Sequence, residues 1–144
     1  HFVGAIQSRK TKSILNYCDV IHSIDRMKIV KLIKDYEKNN ETANKKYFIQ
    51  VNIGNEIQKS GIPVSELEAF YNYCVNEINL NIIGLMIIPP VDENAEKYFK
   101  SLTELNKTLA LEHTSMGMSA DYKEALNFGA TYIRIGSKIF GSRS

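Results

Sequence analysis

The sequence predicts an α/β fold built as a (β/α)8 barrel of the TIM type, present here as about six of its eight βα units. Three observations predict it. Short runs rich in Ile, Val, Phe and Tyr alternate with longer amphipathic segments, the pattern of βαβ units and a parallel sheet. Successive apolar runs start about 20 to 35 residues apart, a spacing that suits barrel units. The G-x-G-x-x-G fingerprint that would favour a doubly wound open sheet is absent after the first run.

The strand candidates are Phe2 to Ile6, Val20 to Ile24, Tyr47 to Ile53, Ile82 to Ile88, Leu111 to Ser115 and Thr131 to Ile135. The first lies almost at His1, so the chain reads as a fragment that begins inside a strand. The two missing units would then precede it, and the last two runs would be the seventh and eighth strands of the barrel. Between the runs, Met27, Val30, Ile33 and Tyr36 form one helical stripe. Lys31, Lys34 and Lys38 lie on its wet side; Asp35 and Glu37 interrupt them, which favours a solvated face over a membrane or RNA patch. Leu67, Phe70, Tyr71, Cys74, Val75 and Ile78 form a second stripe, with a capping-box pattern over Ser65-Glu66-Leu67-Glu68 at its start. Ala95, Tyr98, Phe99, Leu102, Leu105 and Leu109 form a third. A last helix is expected after Ser119, with Asp121 in its first turn and its end before Gly129.

With 144 residues there is room for one domain with a sizeable core, residues 1–144. The 44% hydrophobic and 24% charged content excludes disorder and low-complexity structure. The longest apolar run, Ile82 to Val91, is broken by Gly84, Pro89 and Pro90 and is too short to span a bilayer. Net charge is +2 with both signs interleaved, and four arginines form no cluster, so a nucleic-acid surface is not expected. Cys18 and Cys74 are far apart and match no metal or redox spacing, which points to buried thiols in a reducing compartment such as the cytoplasm. His1, His22 and His113 are scattered, so a zinc site is not expected.

The barrel numbering makes a sharp prediction about chemistry. Phosphates commonly bind TIM barrels at the turns after strands seven and eight. Here those turns are Ser115-Met116-Gly117-Met118-Ser119, with two hydroxyls, and Gly136-Ser137-Lys138. Small residues in either turn alone are ordinary turn chemistry; both at the expected places could offer backbone N–H groups to a phosphate. Strand alternation points Ile133 and Ile135 toward the helices and Arg134 into the barrel near its mouth. A guanidinium there requires an anion, an acceptor or an internal acid. Phe48, Gln50 and Asn52 share the inward phase, and Glu56 and Lys59 are spaced to pair.

Several stretches resemble a known family in order along nearly the whole chain. They are His1-Phe2-Val3-Gly4-Ala5-Ile6-Gln7, His22-Ser23-Ile24-Asp25, Val51-Asn52-Ile53-Gly54-Asn55-Glu56 with Lys59-Ser60-Gly61, and Gly84-Leu85-Met86 with Pro89-Pro90. Ser115-Met116-Gly117-Met118-Ser119-Ala120-Asp121 follows, then Gly129-Ala130-Thr131 and Arg134-Ile135-Gly136 through Phe140-Gly141. The chain resembles the pyridoxal phosphate homeostasis proteins, single-domain barrels related to the N-terminal domain of alanine racemase. The resemblance implies a pyridoxal 5′-phosphate (PLP) binder that buffers or delivers its cofactor inside the cell, with PLP-dependent apoenzymes as partners. A racemase-like enzyme of the same fold is the alternative. It implies that Ser115, Gly136 and Ser137 hold the phosphate and that Arg134 faces the pyridine nitrogen, keeping it unprotonated. Met86 would line the pocket near the ring, or else belong to the core. Ser137 stands where the family usually has Thr, and Arg9-Lys10 where it usually has Asn-Lys. The family's cofactor-linking lysine lies upstream of His1; neither Lys59 nor Lys138 occupies its motif position.

Overall fold

The computed structural model describes residues 1–40, 45–56, 59–91 and 93–141. Strands β1 (Val20–Ile24), β2 (Lys46–Asn52), β3 (Ile62–Pro63), β4 (Ile82–Met86), β5 (His113–Met118) and β6 (Tyr132–Arg134) form one sheet. The order is β1-β2-β4-β5-β6 with β3 on β2, and every pairing is parallel. Helices α1 (Thr11–Tyr17), α2 (Met27–Asn39), α3 (Leu67–Asn72), α4 (Ala95–Thr108), α5 (Tyr122–Asn127) and α6 (Ser137–Phe140) alternate with the strands. This is the expected succession of βα units.

The sheet separates two apolar layers. Toward the helices, Tyr47, Ile49 and Val51 of β2 and Leu85 of β4 pack with Ile29 and Ile33 of α2, Phe70 of α3 and Phe99 and Leu102 of α4. On the opposite face a smaller cluster joins Val20, Phe48 and Met86, with Tyr132 against it. Alternate residues of β2 thus enter different layers, as the period of two requires. That inner face positions the site.

The backbone also shows why some boundaries differ from expectation. Phe2 to Ile6 does not form a strand: only Phe2 bridges Ile21. Beyond it the carbonyls of Gly4 and Ile6 accept instead from Ser23 Oγ and Arg26 at the end of β1. The capping box at Ser65 does not form. Ser65 lies in a 3₁₀ turn, Val64–Glu66, that runs straight into α3 without a side-chain cap. The stripe to Ile78 is helical, but Tyr73–Glu77 takes the wider π form. β5 starts at His113 because the Leu111 N–H is committed to Asn106 of α4. Asn106, buried, also donates to the Leu111 carbonyl (2.7 Å) and accepts from the Leu85 N–H (3.1 Å). It ties α4 to two neighbouring strands.

Two glycines hold tight contacts. A Cβ at Gly84 would lie 1.9 Å from the His113 carbonyl oxygen, so β4 and β5 approach where only a bare Cα fits. Gly117 has φ +89° and packs under Ala125 of α5, which lets the chain turn out of β5 directly into that helix.

Candidate functional site

The C-terminal ends of β4, β5 and β6 converge around Arg134. Its side chain points to the inner face, as alternation along β6 requires. One guanidinium nitrogen donates to Ser115 Oγ at 2.8 Å and the other to the Ile87 carbonyl at 2.7 Å. No carboxylate pairs with it among the described residues, so the internal-acid alternative is not realised. Burial lowers its pKa to about 10, against the charge of Asp121, and the group stays cationic at neutral pH. A guanidinium carries five N–H donors, and these two bonds use at most two of them.

Ser115 is fully buried, and its hydroxyl also lies 2.8 Å from His22 Nδ1. The His22 ring stacks on Phe48 with centroids 4.5 Å apart and meets Tyr132 edge-on. Burial and then the nearby Arg134 charge push His22 down to about 4, so it is neutral at physiological pH. Its Nε2 lies 3.0 Å from His1 Nδ1.

The turns after β5 and β6 meet, as the barrel numbering requires. Ser119 Oγ accepts from the N–H groups of Gly136 (3.2 Å) and Lys138 (3.4 Å). Asp121 accepts from the Met118 N–H at 2.7 Å and shapes the first of these turns. Gly136 leads into α6, and a Cβ there would meet open space. Ser137 is exposed as the first residue of α6.

The five expected site residues therefore fall into three places. Arg134 is at the mouth, with Ser115 beside it. Gly136 and Ser137 are at the turn. Met86 is fully buried on the inner face, paired in register with Ser115 and packed with Phe48 and Val20. The hydroxyl of Ser115 is thus engaged by Arg134 and His22, while the hydroxyl that reaches the Gly136 turn is that of Ser119. Sequence reasoning counted the Ser119 hydroxyl in the turn but singled out Ser115, and it gave His22 no role at the site. Only part of the signal was present: the turn offers two hydroxyls and His22 shares the inward phase of Val20 on β1, but neither fact says which serine turns toward Gly136 or that His22 meets Ser115.

Glu56 and Lys59 form an ion pair at 2.5 Å. Lys59 borders an open cleft of about 360 Å³ together with Gly4, Gln50, Asn52, Ser60 and Ile88. Among the described residues no group of three metal-binding side chains occurs, and no helix is long and apolar enough to cross a membrane. Cys74 is buried and its thiol is pushed up to about 12, which removes it from nucleophilic chemistry.

Comparison with known proteins places this arrangement. The family model for the N-terminal domain of alanine racemase matches residues 2–144. The pyridoxal phosphate homeostasis protein of Aquifex aeolicus is 39% identical over 153 residues, covering 99% of this chain and 66% of that protein. The protein of the same name from Pseudomonas aeruginosa is 38% identical, covering 99% and 64%. The chain therefore spans just under two thirds of the length of these relatives. Among solved structures, PipY of Synechococcus elongatus with PLP bound superposes with a TM-score of 0.86 at 27% identity, over 96% of this chain and 68% of that one. The parallel βα succession, the meeting turns and the matched family agree: this chain belongs to the alanine racemase N-terminal domain family.

Proposed function

We propose that this chain is the greater part of a PLP-binding barrel domain, residues 1–144, that serves as a carrier in cytoplasmic cofactor homeostasis rather than as a catalyst. The observation that carries the reading is Arg134. It is a largely desolvated cation whose partners among the described residues are neutral, set on the strand that leads into the Gly136 turn. Such a place suits an anionic ligand with an acceptor nitrogen. The names of the relatives and the PLP-bound neighbour point the same way.

In this reading the backbone N–H groups of the Gly136 turn, with the hydroxyls of Ser137 and Ser119, hold the phosphate. Ser119 already gathers the amides of Gly136 and Lys138 onto one oxygen, so a phosphate oxygen can take the same donors at little reorganisation. Arg134 donates toward the pyridine nitrogen and, being cationic, disfavours its protonation. Ser115 and Ile87 hold the guanidinium in place, and Met86 closes the inner face below it. Bound PLP supplies an aldehyde that exchanges between amines, and an unprotonated ring is a poor electron sink, which fits storage and delivery to PLP-dependent apoenzymes.

Titration of the full-length protein with PLP, followed by absorbance near the edge of the visible range, tests the reading. Saturable binding is expected, and Arg134→Met should weaken it by about 10- to 100-fold, the loss of charge-assisted hydrogen bonds. No spectral change on adding PLP to the full-length protein would refute the proposal. Incubation with L- and D-alanine distinguishes the racemase-like alternative, which requires interconversion.

A further inference from the structure

Of the two directions open to the His22–Ser115 hydrogen bond, one also gives the buried serine proton an acceptor. Arginine is a donor without acceptor capacity. Ser115 Oγ therefore accepts from Arg134, and the one hydroxyl proton it owns is free to point elsewhere. The polar atom waiting at 2.8 Å is His22 Nδ1. For that bond to form, Nδ1 must be the bare nitrogen and Nε2 must carry the proton, which it donates toward His1 Nδ1 at 3.0 Å. The ring cannot swing away to choose other partners. Phe48 stacks on one face, and Tyr132 stands against it edge-on.

We propose that His22 is a positioning residue for Arg134: by taking the Ser115 proton on Nδ1, it turns the serine lone pairs toward the guanidinium and fixes its aim into the mouth. The inference rests on the cofactor reading above only for what that guanidinium meets. Without a bare nitrogen at position 22 the serine hydroxyl has no fixed rotor. Its proton can then face the arginine, and one of the two anchors of Arg134 is lost. The Ile87 carbonyl alone holds one end of the fork and leaves the rest free to rotate.

Two measurements on the full-length protein test this separately. In cofactor-free protein, the ¹⁵N shifts of the His22 ring should show an unprotonated Nδ1 and a protonated Nε2, and Ser115→Ala should abolish that tautomer preference. In PLP titrations, His22→Leu and Ser115→Ala should each raise the dissociation constant about tenfold, with a matching change in the bound-cofactor spectrum. His22→Asn places an oxygen where Nδ1 stands and should restore binding to within about threefold. In an Arg134→Met background neither His22→Leu nor Ser115→Ala should have a further effect. If His22→Leu does not fold, Ser115→Ala carries the comparison, since it removes only the bridging hydroxyl. Undiminished PLP affinity in Ser115→Ala, or a loss that persists without Arg134, overturns the inference. Failure of the unmodified protein to bind PLP overturns the cofactor reading instead, and the ring tautomer then judges the relay by itself.

Discussion

At the scale of single residues, the inner face holds a charge and an imidazole that cannot both be protonated comfortably. Arg134 keeps its proton at any ordinary pH, so His22 is the group that yields. Its pKa of about 4 lies below the ordinary 6.5. Between these values the folded state binds fewer protons than the unfolded chain. Stability from this group is complete above about pH 6.5 and is lost as the pH falls toward 4. The groups facing the ring are Arg134 of β6, His1 before β1 and the aromatic rings of Phe48 and Tyr132. At about 1.4 kcal/mol per pKa unit, the loss is at most about 3.5 kcal/mol. Urea unfolding of the full-length protein at a series of pH values should show the midpoint falling below pH 6.5. His22→Asn, which does not titrate, should have a shallower slope in that window; an identical slope would remove His22 as its source. The inward direction of Arg134 was legible in the sequence because strand alternation is local. The partner of Ser115 was not, because His22 is 93 residues away and only the closed sheet order brings it near. A spacing rule also cannot say which serine of Ser115-Met116-Gly117-Met118-Ser119 ends the strand and which one turns toward Gly136.

At the scale of elements, the helical stripes and the parallel strands were legible because each is a periodic apolar pattern with one buried face. The boundaries that moved did so where a side chain claimed a backbone group. Ser23 and Arg26 took the carbonyls that would have extended the strand at Phe2, and Asn106 took those at the start of β5. Such claims are made by residues distant in the chain and leave no local trace. Gly84 is a case where the sequence shows the residue but not its reason. A strand-interior glycine ordinarily weakens a sheet, yet here the β5 backbone occupies the space of its Cβ and Phe48 crowds the other side. Gly84→Ala must therefore push β4 away from β5 rather than bend a flexible side chain. The expected cost is about 3 kcal/mol or more, read as a lowered thermal midpoint. Because the displaced strand carries Met86, the proposed PLP binding should weaken as well. A variant as stable as the parent would show that the two strands do not approach this closely.

At the scale of the whole molecule, the sheet runs from β1, bridged by Phe2, to β6 and does not close among the described residues. β6 is an edge strand, and unpaired backbone groups on an edge are a template for further pairing. Exposed apolar side chains lie on it and on the helices that precede and follow it: Ile133 is 39% exposed, Leu126 50%, Ile139 67% and Phe140 86%. The buried layer on the helix side is extensive, whereas the inner cluster has three buried apolar residues among the described residues. A barrel draws its second layer from strands that face one another across the interior. The 144-residue polypeptide expressed alone thus has a well-made outer layer and a poorly covered inner one. It should self-associate through the β6 edge. Light scattering coupled to size exclusion should show mass rising with concentration, and charged substitutions at Ile139 and Phe140 together should reduce it. Those two residues lie beyond the sheet, so the change leaves the outer core intact and separates surface association from unfolding. A monomer that melts cooperatively at all concentrations would mean that the inner face is already sufficiently covered by Tyr132, Phe48 and His22 packing on one another.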